Sequence, residues 1–145
     1  MMTRKLFQED VYKKECTGTV VDVQGTGAPE DPFLLVLDET VFFPTGGGQP
    51  CDLGTIENVP LTNVFEKDGV IFHSMQPFHG RTKADQALQK TNWKAGDKVH
   101  CSLDWDRRFE HMKRHCGEHI LSGIFFRECG GVNRGFHMGN DYMTI

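Results

Sequence analysis

The sequence predicts an α+β fold, and three observations predict it. Short apolar runs punctuated by Gly, Pro and Asp fill the first two thirds of the chain. The apolar spacing then lengthens from two residues to three or four near Trp105, and a Gly130-Gly131 pair follows the long periodic run. Alternation at period two marks half-buried strands, whereas steps of three and four mark one face of a helix. The 145 residues, 38% of them hydrophobic, are enough for one domain or two very small ones.

From Cys16 to about Met75 the elements are short strands: Thr19-Val20-Val21-Asp22-Val23, a break at Gly25-Thr26-Gly27 with Pro29 and Pro32, then Phe33-Leu34-Leu35-Val36-Leu37. Val64-Phe65-Glu66 and Val70-Ile71-Phe72 flank Lys67-Asp68-Gly69, where Asp-Gly supplies the positive φ angles of a tight hairpin. Between Pro77 and Gly96 polar residues dominate, so a surface loop or weak helix connects two halves, and the domains are divided as 1–95 and 96–145. Lys98 to Asp104 alternates as one more strand.

A helix is expected from near Trp105. Phe109, Met112, Cys116, Ile120, Gly123 and Ile124 follow its period as a buried stripe, with Cys116 inside. Glycine accepts the left-handed conformation that ends helices, so the helix stops near Cys129-Gly130-Gly131. Phe136-His137-Met138 and Tyr142-Met143-Thr144-Ile145 read as strand material.

A net charge of -4 and a pI near 5.9 argue against a bulk polyelectrolyte nucleic-acid binder, while leaving room for a local basic face. Arg107, Arg108, Lys113 and Arg114 form such a cluster, either a solvated helix face or a contact to RNA phosphates. Five cysteines, odd in number and without Cys-x-x-Cys spacing, indicate neither a disulfide framework nor a four-thiolate zinc site. A reducing, cytoplasmic compartment is expected. The first residues lack an apolar signal core and no run approaches the ~18 apolar residues of a membrane span, so no membrane partner is expected.

Two motifs carry chemistry. In His115-Cys116-Gly117-Glu118-His119 the histidines lie one helical turn apart and leave the same face, able to converge on one divalent metal, for which zinc is the first candidate. The same spacing also arises when one histidine lies in a core and the other on a solvated edge. His111 extends the row, as a spectator, a supporting group or a ligand. The second motif is the strand ending in Phe42-Phe43-Pro44-Thr45-Gly46-Gly47-Gly48-Gln49-Pro50. Consecutive glycines expose backbone amides that can hold a carboxylate, phosphate or ribose, or they form a flexible turn; the run matches neither a P-loop nor a dinucleotide fingerprint.

The ordered set of Phe-Phe-Pro-Thr-Gly-Gly-Gly-Gln-Pro-x-Asp-x-Gly, Asp104-Trp105-Asp106-Arg107-Arg108 and His115-x-x-x-His119 resembles AlaX, the free-standing relatives of the alanyl-tRNA synthetase editing domain. The resemblance runs from Cys16 onward. It implies a small β-barrel of the translation-protein type, followed by the start of the α+β editing domain common to threonyl- and alanyl-tRNA synthetases. It also implies zinc-dependent hydrolysis, in trans, of the ester on tRNA(Ala) mischarged with serine or glycine. The tRNA acceptor end is the implied partner and zinc the implied cofactor.

By the same resemblance His115 and His119 match the first two zinc ligands, and Thr40, Gly47, Gly48 and Gln49 match the motif bordering the amino-acid pocket. Thr40 is then the hydroxyl that senses the serine side chain. Thr40, Gln49 and Glu118 are the expected catalytic group, with Gly46, Gly47, Gly48, Arg107 and Arg108 expected to bind substrate. The family completes its zinc site with a downstream Cys-x-x-x-His pair, and here Cys129 is followed by Asn133. An amino-terminal fragment with an incomplete metal site is therefore expected, unless His111, Cys116, His137 or a second chain fills the gap.

Glu118 either faces solvent or hydrogen-bonds a ligand imidazole. Two rival readings remain at this point. The same five residues satisfy the His-x-x-Glu-His pattern of inverzincin metallopeptidases, with Glu118 as general base. A catalytically incomplete tRNA-binding module is the other.

Overall fold

Six antiparallel strands pair in an order that returns to its start. The computed structural model describes residues 1–77 and 93–145, so the connecting segment expected between Pro77 and Gly96 lies mostly outside the described residues. The elements are β1 (Arg4–Lys5), α1 (Leu6–Glu9), β2 (Glu15–Gln24), β3 (Leu34–Leu37), β4 (Glu39–Thr40), β5 (Gly54–Ile56), β6 (Val59–Lys67), β7 (Val70–Met75), β8 (Lys98–Leu103), α2 (Trp105–Cys129), β9 (His137–Met138) and β10 (Met143–Thr144). Pairing runs β2-β3-β7-β6-β5-β8, and β8 pairs back onto β2. The architecture is mixed α+β.

The Asp-Gly hairpin forms as expected. Lys67 pairs with Val70, and Asp68 (φ 53°) and Gly69 (φ 78°) are both left-handed, the twist that matches the flanking strands. Inward residues fill the ring: Val20, Leu35, Leu37, Ile56, Val59, Val64, Ile71 and Met75 are all essentially inaccessible. An irregularity between Leu61 and Asn63 shifts the phase of β6, so Leu61 and Val64, three residues apart, both point inward. Because β8 pairs with both β2 and β5, a division at residue 95 would cut it from the sheet it closes.

The strand-to-helix change falls at Asp104, whose carboxylate accepts from the Arg107 N–H at 3.2 Å and caps α2. Gly130 (φ 67°) ends the helix in the left-handed conformation. The buried apolar stripe does not form. Arg108, His111 and Glu118 are the buried residues of α2, while Phe109, Cys116, Ile120 and Ile124 are exposed.

The reason is that α2 docks through polar contacts. Arg108, 4% exposed, ion-pairs with the fully buried Asp52 and also donates to the carbonyls of Val11 (3.0 Å) and Val41 (2.7 Å). Asp52 in turn accepts from the Phe43 N–H at 2.7 Å. Beyond this clamp Phe109, Ile120 and Ile124 remain 43–61% exposed. The strand material after the helix is the short antiparallel pair β9–β10, with Met138 buried.

Candidate functional site

The glycine motif forms a tight turn that aims one side chain. Gly46 and Gln49 exchange backbone hydrogen bonds at 3.1 and 3.0 Å, so those two amides are used inside the turn. Gly48 (φ 82°) lies against the chain leading into β9: a Cβ there would sit 2.0 Å from the Phe136 carbonyl oxygen, and its own carbonyl accepts from the Met138 N–H. Only glycine meets both demands. The turn thereby holds Gln49 beneath α2, with its Oε1 2.8 Å from His115 Nδ1.

His115 and His119 leave one face of α2 and meet, Nε2 to Nε2, at 3.1 Å. His119 Nδ1 lies 3.5 Å from Glu118 Oε2. His115 thus turns Nδ1 toward an oxygen acceptor, which places its ring proton there and leaves its Nε2 as a lone-pair nitrogen facing the Nε2 of His119. Two lone pairs facing each other at this distance repel unless a proton or a cation lies between them. Two nitrogens bound to one tetrahedral zinc at ~2.05 Å are ~3.3 Å apart, so the pair fits that ion. His115, Glu118 and His119 have ligand atoms within 4.8 Å of one another.

Glu118 faces neither solvent nor a substrate. It is 3% exposed, and its Oε1 accepts from Ser122 Oγ (2.8 Å) and from the Asn133 amide. Its Oε2 lies 3.5 Å from His119 Nδ1, an electrostatic approach longer than a hydrogen bond of that geometry. That placement disfavours the peptidase reading, in which Glu118 is a general base. The cleft beside the histidines, about 570 Å³, is lined by Gln49, Met112, His115, Cys116, His119 and Ile120. Phe136 packs edge-on to His115 with ring centroids 5.1 Å apart.

Other expected site residues lie elsewhere. Thr40 is fully buried in the ring, where its hydroxyl lies 2.8 Å from His73 Nε2 and accepts from the Phe42 N–H, so it does not line the cleft. His73 Nδ1 donates to the Leu35 carbonyl at 3.0 Å; Thr40 therefore donates to Nε2. Burial lowers the His73 pKa to about 4, against a smaller opposing effect of the Leu35 carbonyl. Arg108 is consumed by the Asp52 clamp, and its guanidinium cannot also reach a substrate. Arg107 is half-buried and donates from Nε to the Cys51 carbonyl at 3.0 Å. Asn133 and Ser122, which hold Glu118, carried no signal in the sequence; Asp52 stood inside the glycine motif without a role.

Similar proteins fix the lineage. AlaX-M alanyl-tRNA editing protein from Pyrococcus horikoshii is 35% identical over 91% of this chain and 53% of its own length. The AlaX-M protein from Methanosarcina barkeri is 37% identical over 99% of this chain and 56% of its own. Alanine–tRNA ligase from Thermococcus kodakarensis is 37% identical over 88% of this chain and 12% of its own. This chain belongs to the AlaX and alanyl-tRNA synthetase editing family. It spans about half the length of the AlaX-M relatives it matches. No family model matches it. In this AlaX relative the glycine motif and the His-x-x-x-His helix meet at Gln49 and His115, 66 residues apart, and again through Cys51 with Arg107 and Asp52 with Arg108.

Proposed function

We propose that this chain carries the editing centre of an alanyl-tRNA deacylase, hydrolysing the ester that links serine or glycine to tRNA(Ala), with zinc held by His115 and His119. The observation that carries this reading is the pair of Nε2 atoms 3.1 Å apart, with the His115 ring oriented through Nδ1 by Gln49. Similarity to alanyl-tRNA editing proteins and to alanine–tRNA ligase supports the reaction class. Bound zinc supplies Lewis-acid chemistry toward the ester carbonyl.

The protein's own residues prepare the site. Gln49 accepts at His115 Nδ1 and so turns the Nε2 of that ring toward the position a metal would take. Met112 and Ile120 give the cleft an apolar wall. On this reading the six-strand ring is a translation-protein-type barrel running to Leu103, and α2 with β9–β10 opens the editing domain. The acceptor end of tRNA(Ala) is the partner, and the cytoplasm the compartment.

The test is zinc stoichiometry on the purified chain together with deacylation of seryl-tRNA(Ala), for the parent, His115→Ala and His119→Ala. Near one zinc per chain, lost in both variants along with turnover, supports the reading. Substoichiometric zinc without turnover replaces it with that of an incomplete tRNA-binding module.

A further inference from the structure

One helical turn toward the N-terminus of His115, a second, polar cavity of about 190 Å³ opens on the same side of α2. Its wall is Arg107, Glu110, His111 and Arg114, and Pro50, the residue after Gln49, contributes to its lining. Backbone carbonyls anchor both guanidiniums, Arg107 Nε at Cys51 and Arg114 Nη1 at Gly139 and Asn140, both at 2.9 Å, and Arg114 Nε also donates to Glu110. Further N–H groups of both arginines remain without a partner among the described residues. Glu110 lies 3.4 Å from Arg114 Nε, and Lys113 Nζ at 2.7 Å offsets its charge.

His111 is the unusual member. It is 7% exposed, neither ring nitrogen has a hydrogen-bond partner among the described residues, and Nδ1 is fully enclosed. The charged groups around it are Arg107, Arg114, Glu110 and Asp52, the last ion-paired with Arg108. The enclosed Nδ1 is out of reach from the pocket, so His111 can meet a ligand only through the rest of its ring edge. Two anchored guanidiniums and an imidazole ask for an acceptor-only, anionic ligand with several oxygens, which is the chemistry of phosphate.

We propose that the Arg107–His111–Arg114 pocket seats the phosphodiester on the 5′ side of the acylated terminal ribose. This rests on the proposed reaction at the neighbouring histidines. The phosphate and the 3′-oxygen of one nucleotide are separated by a single ribose, a span matched by the one turn of helix, ~5.4 Å, between His111 and His115. A diester seated here places the ester at the Nε2 pair and the remainder of the strand past Pro50. Arg107 and Arg114 are then positioning residues, and His111 supplies the neutral contact.

The experiment reads binding and not turnover. The dinucleotide CpA, adenosine and inorganic phosphate are titrated into histidine-labelled protein, with the His111 ring resonances assigned through His111→Gln and followed by NMR. CpA is expected to move them while adenosine leaves them in place. Arg107→Gln is expected to weaken CpA about tenfold, the equivalent of one charge-assisted hydrogen bond, and Arg107→Lys to recover part of that loss. Equal responses to CpA and adenosine overturn the assignment, as does no response to CpA at millimolar concentration. A response to inorganic phosphate alone also overturns it, by making the pocket a free-anion site. If CpA moves His111 but seryl-tRNA(Ala) is not hydrolysed, the phosphate pocket stands and the deacylase reading fails.

Discussion

Replacing Gln49 by alanine tests the link between the two motifs. Gln49 Oε1 sits 2.8 Å from His115 Nδ1, while the corresponding partner of His119, Glu118 Oε2, is at 3.5 Å. The shorter contact is the stronger constraint on ring orientation and tautomer. Removing such a partner from a metal-bound histidine costs 10–100-fold in affinity, about 1.4–2.7 kcal/mol. The turn itself should survive, because Gly46 and Gln49 pair through backbone atoms that alanine retains. Zinc affinity would be measured by competition with a chromophoric chelator at fixed pH, with thermal melts by circular dichroism as the control on folding. The expected result is a dissociation constant raised at least tenfold with an unchanged melt. A change within twofold would refute the claim that the glycine motif serves the histidines.

Two further predictions concern the scaffold. Arg108→Ala leaves Asp52 as an uncompensated buried carboxylate, so urea denaturation should show a loss of 3–5 kcal/mol, against under about 1 kcal/mol for the half-buried Arg107→Ala; similar losses for both would deny the clamp its role. His73, held near pKa 4, takes up its proton in the unfolded chain first as pH falls, since the free value is about 6.5. Stability should therefore decline between about pH 6.5 and 4, by roughly 3 kcal/mol at the lower end, and His73→Gln should flatten that part of the denaturation profile.

Much of the local structure was legible because its causes are local. Asp68-Gly69 can supply two left-handed residues wherever it lies, Asp104 can cap any helix that starts at Trp105, and Gly130 can end one. The His115–His119 convergence needs only helical periodicity. Helix burial was misread for the opposite reason: apolar spacing marks a face, but burial depends on what packs there. Arg108 is among the most buried residues of α2 because Asp52, 56 residues away, receives it. Ile120 and Ile124 keep 61% and 43% of their surface exposed although they follow the helical apolar spacing.

Thr40 shows the same limit. Its place beside a glycine motif suggested a substrate contact, yet β7 brings His73 across the ring to take its hydroxyl. The sequence by itself determined the element types, the hairpin, the helix ends and the face shared by the two histidines, all consequences of backbone preferences and spacing within one segment. Only the tertiary structure decided that Gln49 orients His115, that Asn133 holds Glu118 inward, and that Arg108 is structural while Arg107 is available. Each of those outcomes depends on side chains that meet across the fold, where burial and hydrogen-bond satisfaction are set by neighbours distant in the chain.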